Sequence, residues 1–365
     1  MVGRLTKTLA LVLLSASALL LFTRSLNAVI FLSTGDPEYN TTAPTGALTN
    51  SGWDLQGEWG IFLGTPIASN YFITARHVAG TDTNAFVLNG KSYRPLTAFH
   101  HRHADLTLWK IDGSFTNFAQ LYDGTNELHQ PLVVFGRGLR RGEELRVDGE
   151  LRGWHWSFLD GRLRWGENQV HAITTRRGEP ITNSTQVQLL RAIFRTNAGP
   201  SEAHLAVGDS GGGVFIQQNG TWKLAGINFS VDGKYNTNSA GLGFDAALFD
   251  ERGLYKSRGT NWIFQSGAEI QPGGFYATRI SAYRDWIDRV IQFGNPFGEV
   301  IVETTPSLDQ PFTPSQNAEV NLETQTILFP TSYTHEFIRL RSLAPIAINS
   351  ITNTASGIAF QFEEN

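Results

Sequence analysis

The chain reads as all-β: two β-barrels, a helix after the second, and a small β appendage at the C-terminal end. Three observations predict this. From Trp59 onward, short apolar runs alternate with turn residues. Glycine is abundant, at 37 of 365 residues, and charged residues are only 17%, which suits a protein with many turns. One stretch, 281–293, carries the apolar period of a helix.

The elements follow in order. Residues 1–28 read as a secretory signal, with Arg4 and Lys7 as the positive start, 9–22 as the apolar core and Leu26-Asn27-Ala28 as the small-residue end. The apolar core is shorter than the ~20 residues that cross a bilayer, so no membrane span is expected after its removal. The mature chain is therefore expected outside the cytoplasm: secreted, periplasmic or at the cell surface. Residues 33–58, rich in Thr, Gly, Asn and Pro, read as an extended surface entry. Runs at 60–63, 71–75, 85–88 and 106–111 form the first barrel, with Asn89-Gly90 as a hairpin turn. A linker spans about 115–130. The second barrel runs from Leu132-Val133-Val134-Phe135-Gly136 to about Ile280. Ser281 caps the helix, Trp286, Ile287, Val290 and Ile291 share its apolar face, and Gly294-Asn295-Pro296 ends it. From 299 to 365 the composition shifts to Thr, Ser, Pro and β-branched residues, and 318–328, 337–343 and 346–362 alternate like strands. So small a unit is expected to dock on the main body or on a partner.

Composition also excludes some classes. A formal net charge of -4 gives no electrostatic case for nucleic acid. With no cysteine, neither a disulfide framework nor a thiolate metal site is available.

Chemistry concentrates in Val207-Gly208-Asp209-Ser210-Gly211-Gly212-Gly213-Val214-Phe215. A serine on a glycine-dense turn has an exposed hydroxyl, and its small neighbours leave backbone N–H groups uncovered for an oxyanion. Glycines serve plain turns as well, so the partners matter. Tyr71-Phe72-Ile73-Thr74-Ala75-Arg76-His77 is an apolar strand delivering a histidine, and Asp105 opens the run Leu106–Ile111. A serine hydroxyl needs an imidazole to take its proton, and that imidazole needs a buried carboxylate.

These motifs carry a resemblance. Thr74-Ala75-Arg76-His77, Ala104-Asp105-Leu106-Thr107-Leu108 and Gly208-Asp209-Ser210-Gly211-Gly212 resemble the histidine, aspartate and serine motifs of the chymotrypsin/trypsin family, in its His, Asp, Ser order. Leu224-Ala225-Gly226-Ile227 resembles the strand flanking the substrate, and Gly274-Phe275-Tyr276-Ala277-Thr278-Arg279-Ile280 the strand closing the second barrel. Ser281-Ala282-Tyr283-Arg284-Asp285-Trp286-Ile287 is similar to the terminal helix.

The resemblance implies two six-stranded antiparallel barrels within 29–298 and a serine endopeptidase acting on a polypeptide substrate, without a cofactor. It assigns His77, Asp105 and Ser210 as the catalytic residues and the N–H groups of Gly208 and Ser210 as the oxyanion hole. Asn228-Phe229-Ser230 becomes the edge along which substrate lies. His204, six residues before the nucleophile, falls at the pocket floor where trypsin has aspartate, which argues against a Lys/Arg preference. The animal members carry disulfides, and Val78 stands where their histidine motif has cysteine. The cysteine-free, signal-bearing chain reads as bacterial. The rival reading is an inactive fold serving as an extracellular binding module, although all three positions are filled.

Activation is where the sequence departs from the family. Trypsin-like zymogens are cut after Lys or Arg, and the freed terminus pairs with the aspartate beside the nucleophile, here Asp209. No Lys or Arg lies between Ser25 and Ala75. Either Asp209 is satisfied internally, or signal removal after Ala28 exposes Val29-Ile30 as the inserted terminus. Other features take a plain reading. His100, His101 and His103 read as a solvated loop, and Arg137, Arg140, Arg141, Arg146 and Arg152 as a charged hairpin. Trp154, Trp156 and Trp165 read as buried or edge-strand aromatics.

Overall fold

The computed structural model describes residues 29–175, 186–330 and 337–364; the signal-like segment 1–28 lies outside them. Among the described residues, twelve strands close into two antiparallel six-stranded barrels. The first is Gly57–Trp59, Phe62–Ala68, Tyr71–Thr74, Phe86–Leu88, Lys91–His100 and Thr107–Asp112. The second is Pro131–Gly136, Arg164–Thr174, Leu189–Ile193, Gly213–Gln218, Thr221–Val231 and Gly274–Arg279. With strands counted in chain order, both barrels close in the order 1-2-3-6-5-4.

Strand periodicity explains the continuous apolar runs. Leu132 and Val134 point into the second barrel with Val170, Val214 and Phe275. Val133 and Phe135 point the other way, into a core between the barrels with Leu63, Ile73, Leu108 and Ile227. A strand buried on both faces reads as apolar throughout. Lys91–His100 shows the opposite case: it is exposed except at Tyr93 and Pro95 and half-covered at 98–99, so no apolar run announced it. It is announced instead by its turn. Asn89 and Gly90 have φ of 50° and 76°, both positive as a two-residue hairpin turn of type I′ requires.

The hairpin Leu139–Val147 and Glu150–Leu159 is present, but its arginines are not simply solvated. Arg137 pairs with Glu58 at 2.9 Å, Arg152 pairs with the buried Asp250, and Arg141 lies 3.6 Å above the Trp154 ring. A second insertion, the sheet of Tyr235–Asn236, Tyr255–Arg258 and Asn261–Phe264, separates the last two strands of the second barrel.

The helix differs from expectation at its start. A 3-10 turn, Ile280–Tyr283, precedes Arg284–Phe293, and the cap position falls to Tyr283 with no side-chain bond. Ser281 instead bonds to Glu127, a fully buried carboxylate that also takes the Arg279 guanidinium through two contacts of 2.8 Å. A buried charge must be paired, and it recruits the hydroxyl from the helix end. Trp286, Ile287 and Val290 enter the inter-barrel core, and Gly294, at φ 68°, closes the helix through its N–H to Val290 O.

Beyond the helix, Val300–Thr305 pairs with Thr313–Pro314 and Phe337–Ser342. A further sheet runs Glu319–Asn321, Thr326–Pro330, Gly357–Glu364, Ile346–Thr354. Phe297, Val302, Ile327, Phe329, Phe360 and Phe362 fill a separate core there. Arg102 and Glu363, 3.2 Å apart, join this part to the main body.

Candidate active site

Three connections converge where the barrels meet. His77 sits in the 3-10 turn Arg76–Val78, immediately after Tyr71–Thr74. Asp105 lies between Lys91–His100 and Thr107–Asp112, and Ser210 precedes Gly213–Gln218. Ser210 Oγ is 2.8 Å from His77 Nε2, and His77 Nδ1 is 2.6 Å from Asp105 Oδ2. Asp105 Oδ1 also accepts the His77 backbone N–H at 2.8 Å. The carboxylate is 6% exposed and the imidazole 40%, so the ring reaches solvent while its partner does not. A carboxylate on Nδ1 assigns the proton to that nitrogen and leaves Nε2 to accept from the serine.

The serine turn is built on positive φ. Gly208 and Gly211 have φ of 95° and 77°. A Cβ on Gly211 would lie 2.2 Å from Leu63 O, so glycine is required there by both backbone and space. The N–H groups of Asp209, Gly211 and Gly212 bond to Ala206 O, Asn228 O and Asp209 O. Among the described residues those of Gly208 and Ser210 have no acceptor.

Asp209 is fully buried beneath this turn. It accepts from Gly138 N at 2.7 Å and Ala206 N at 2.8 Å, and the Val29 N–H is a further backbone donor. Burial pushes its carboxyl up to about 7, against the pull of these hydrogen bonds. A Cβ on Gly136 would stand 2.1 Å from its Oδ1, and one on Gly138 2.4 Å from Val207 O. Gly136-Arg137-Gly138 is thus the cradle of Asp209, which sequence reasoning missed. Two glycines directly after a buried strand were the available signal.

A cavity of about 360 Å³ opens beside Ser210 and His77, walled by Trp156, Phe229, Val231 and Lys234 among others. Phe229 stands edge-on to the His77 ring, with centroids 6.0 Å apart, and Ser230 follows on the same wall. Asn228 is bonded into the serine turn through its backbone and its side-chain NH2. Its N–H bonds to Gly212 O, its carbonyl takes the Gly211 N–H, and its amide donates to Phe135 O and Asp209 O. It braces the serine turn. Gly213–Gln218 pairs only as far as Ile227, so beyond Asn228 no described strand lies on the cavity side of 229–231.

His204 is corrected. It is 1% exposed and is not among the cavity walls; Ala203–His204 pairs with Ile30–Phe31, and the ring packs against Phe194 and Phe275. Its Nδ1 donates to Leu205 O at 2.6 Å, and burial lowers its pKa to about 4. The ring is neutral at pH 7 and offers no charge to an acidic side chain. Asp232, on the cavity wall, is held by Arg191 at 3.1 Å, Lys256 at 3.3 Å and Tyr276 Oη at 3.0 Å.

The fold is all-β, with two closed six-stranded antiparallel barrels. No family model and no curated protein matches the sequence. Among solved structures the chain is similar to neuropsin, a serine protease expressed in the limbic system of mouse brain. Identity is 14% over 67% of this chain and 96% of that chain, with a TM-score of 0.41.

The histidines before Asp105 are not one solvated loop. His100 and His103 are exposed, but His101 is half-buried between the loop and the helix, with Tyr283 and Trp286 against its ring. Arg76 was missed as well. It donates to the carbonyls of His101 and Arg102 and ties the His77 turn to the Asp105 loop.

Proposed function

We propose that the chain is a secreted serine endopeptidase that hydrolyses polypeptide substrates. The observation that carries this reading is the hydrogen-bonded series Ser210–His77–Asp105, at 2.8 and 2.6 Å. In it, Ser210 attacks a peptide carbonyl while His77 Nε2 accepts the hydroxyl proton and later delivers it to the leaving amine. Asp105 holds the Nδ1–H tautomer and stabilises the imidazolium. The N–H groups of Gly208 and Ser210, which have no acceptor among the described residues, take the oxyanion, at ~2.7–4 kcal/mol per donor. Substrate lies extended along 229–231 and adds as a strand. This chemistry needs no cofactor.

Basic side chains are disfavoured at the cleavage site, because the Asp232 carboxylate is already neutralised by Arg191 and Lys256, and Lys234 adds a positive charge to the wall. Signal removal after Ala28 would turn the Val29 N–H into an ammonium beside Asp209. The test is a fluorophosphonate probe on folded protein freed of 1–28. Ser210 is expected to be labelled, Ser210→Ala to take no label, and a peptide-library profile to show no dominance of Lys or Arg. Unlabelled wild-type protein would make the chain a binding module instead.

A further inference from the structure

The loop that presents Asp105 is held by a ring outside the Ser210–His77–Asp105 series. His101 Nδ1 accepts the N–H of Ala104 at 2.9 Å and of His103 at 3.2 Å, while the His101 backbone N–H bonds to Leu106 O at 3.0 Å. An atom that accepts two N–H groups is the bare nitrogen of a neutral ring. The ring meets Tyr283 and Trp286 edge-on, with centroids 4.7 and 5.1 Å away. Both are buried in the inter-barrel core, so the imidazole joins that core to the turn at 101–106. From the other side, Arg76 Nη1 donates to His101 O at 2.9 Å and Arg102 O at 3.3 Å.

Nδ1 of histidine is attached to Cγ, as Oδ1 of asparagine is. An acceptor there reaches the N–H groups two and three residues on, which is the bonding of an Asx turn. Histidine adds a ring wide enough to be gripped by the helix. The turn it makes ends one residue before Asp105, whose two oxygens hold the His77 ring and the His77 backbone separately. Any shift of the turn therefore moves the imidazole.

Resting on the endopeptidase reading, we propose that His101 is a positioning residue: its Nδ1 sets the turn that delivers Asp105 to His77. Two variants separate its parts. His101→Phe keeps a ring against Tyr283 and Trp286 and removes the acceptor, whereas His101→Asn keeps the acceptor and removes the ring. His101→Phe is expected to lower kcat about 10- to 100-fold with KM nearly unchanged, as a small misplacement of catalytic groups does. His101→Asn is expected to recover most of kcat while melting at a lower temperature. The low-field proton resonance of the His77–Asp105 hydrogen bond is expected to move in the Phe variant and to return in the Asn variant. Should the Phe variant not fold, His101→Leu, close to Asn in size but without the acceptor, takes its place. A Phe or Leu variant as fast as wild type, or an Asn variant no faster than these, overturns the inference. Wild-type protein that neither takes the fluorophosphonate nor cleaves peptide overturns the endopeptidase reading itself, and this inference with it.

Discussion

The two barrels share one strand order and differ in what hangs between the strands. The first closes within 57–112 with no further sheet inserted between its strands, around an aromatic core in which Phe72 and Phe86 stack at 4.0 Å beside Trp59 and Trp109. The second spans 131–279, around an aliphatic core, with a long hairpin after its first strand and a small sheet before its last. His77 and Asp105 come from the compact barrel, and Ser210 and most of the cavity wall from the expanded one. The two connections that carry the imidazole and the carboxylate are tied to each other by Arg76, which donates to His101 O and Arg102 O, and by the His77 N–H, which donates to Asp105. Long connections leave room to shape a wall without disturbing the strands beneath. The same topology thus serves as a fixed support on one side and a variable surface on the other.

The largest expected effect tests whether the barrels act as one unit. His77→Ala, in the first, and Ser210→Ala, in the second, are each expected to cut turnover by at least ~1000-fold with the fold intact. Near-normal hydrolysis by either variant would separate the barrels' roles and sink the assignment.

A glycine pair sharpens the contrast between a free turn and the junction. Gly90 and Gly211 have φ of 76° and 77°, but a Cβ on Gly90 meets nothing within 4 Å while one on Gly211 meets Leu63 O across the junction. Gly90→Ala is expected to cost about 1–2 kcal/mol from backbone conformation alone. Gly211→Ala is expected to cost clearly more, because a carbonyl of the first barrel must move. Urea unfolding of the two variants measures this, and equal losses would mean that the junction yields freely.

The smallest effect is a slope against pH. The Asp209 carboxyl is raised from 3.8 to about 7 in the folded chain. Between those values the unfolded chain releases a proton that the folded chain retains, so the group's contribution is greatest below 3.8, falls as pH rises, and levels off above about 7. A chain beginning at Val29 sets an ammonium beside the carboxylate and is expected to lose most of that fall. One carrying Met-Gly ahead of Val29 is expected to keep it and to hydrolyse more slowly. If unfolding curves at pH 5 and pH 7 and hydrolysis rates agree between the two, the Val29 amine plays no part.

Local chemistry made much of this protein legible in its sequence. Asn89-Gly90 announced a hairpin because few residues tolerate two successive positive φ values. Trp286, Ile287 and Val290 announced the buried helix face by period alone. His77, Asp105 and Ser210 stood out because His77 directly follows an apolar run and Asp105 and Ser210 each precede one, which places all three at strand ends. What only the tertiary structure decided were the neighbours that are remote along the chain. Ser281 looked like a cap until Glu127 came beside it. His204 is uncharged because Phe194 and Phe275 close around it, and Asn228 is a brace because Phe135 and Asp209 present their carbonyls to it. His101 left a solvated loop for a place against Tyr283 and Trp286. Backbone conformation is a property of a few consecutive residues and can be read from them. Protonation, burial and hydrogen-bond partners are set through space, by residues that the order of the chain does not place together.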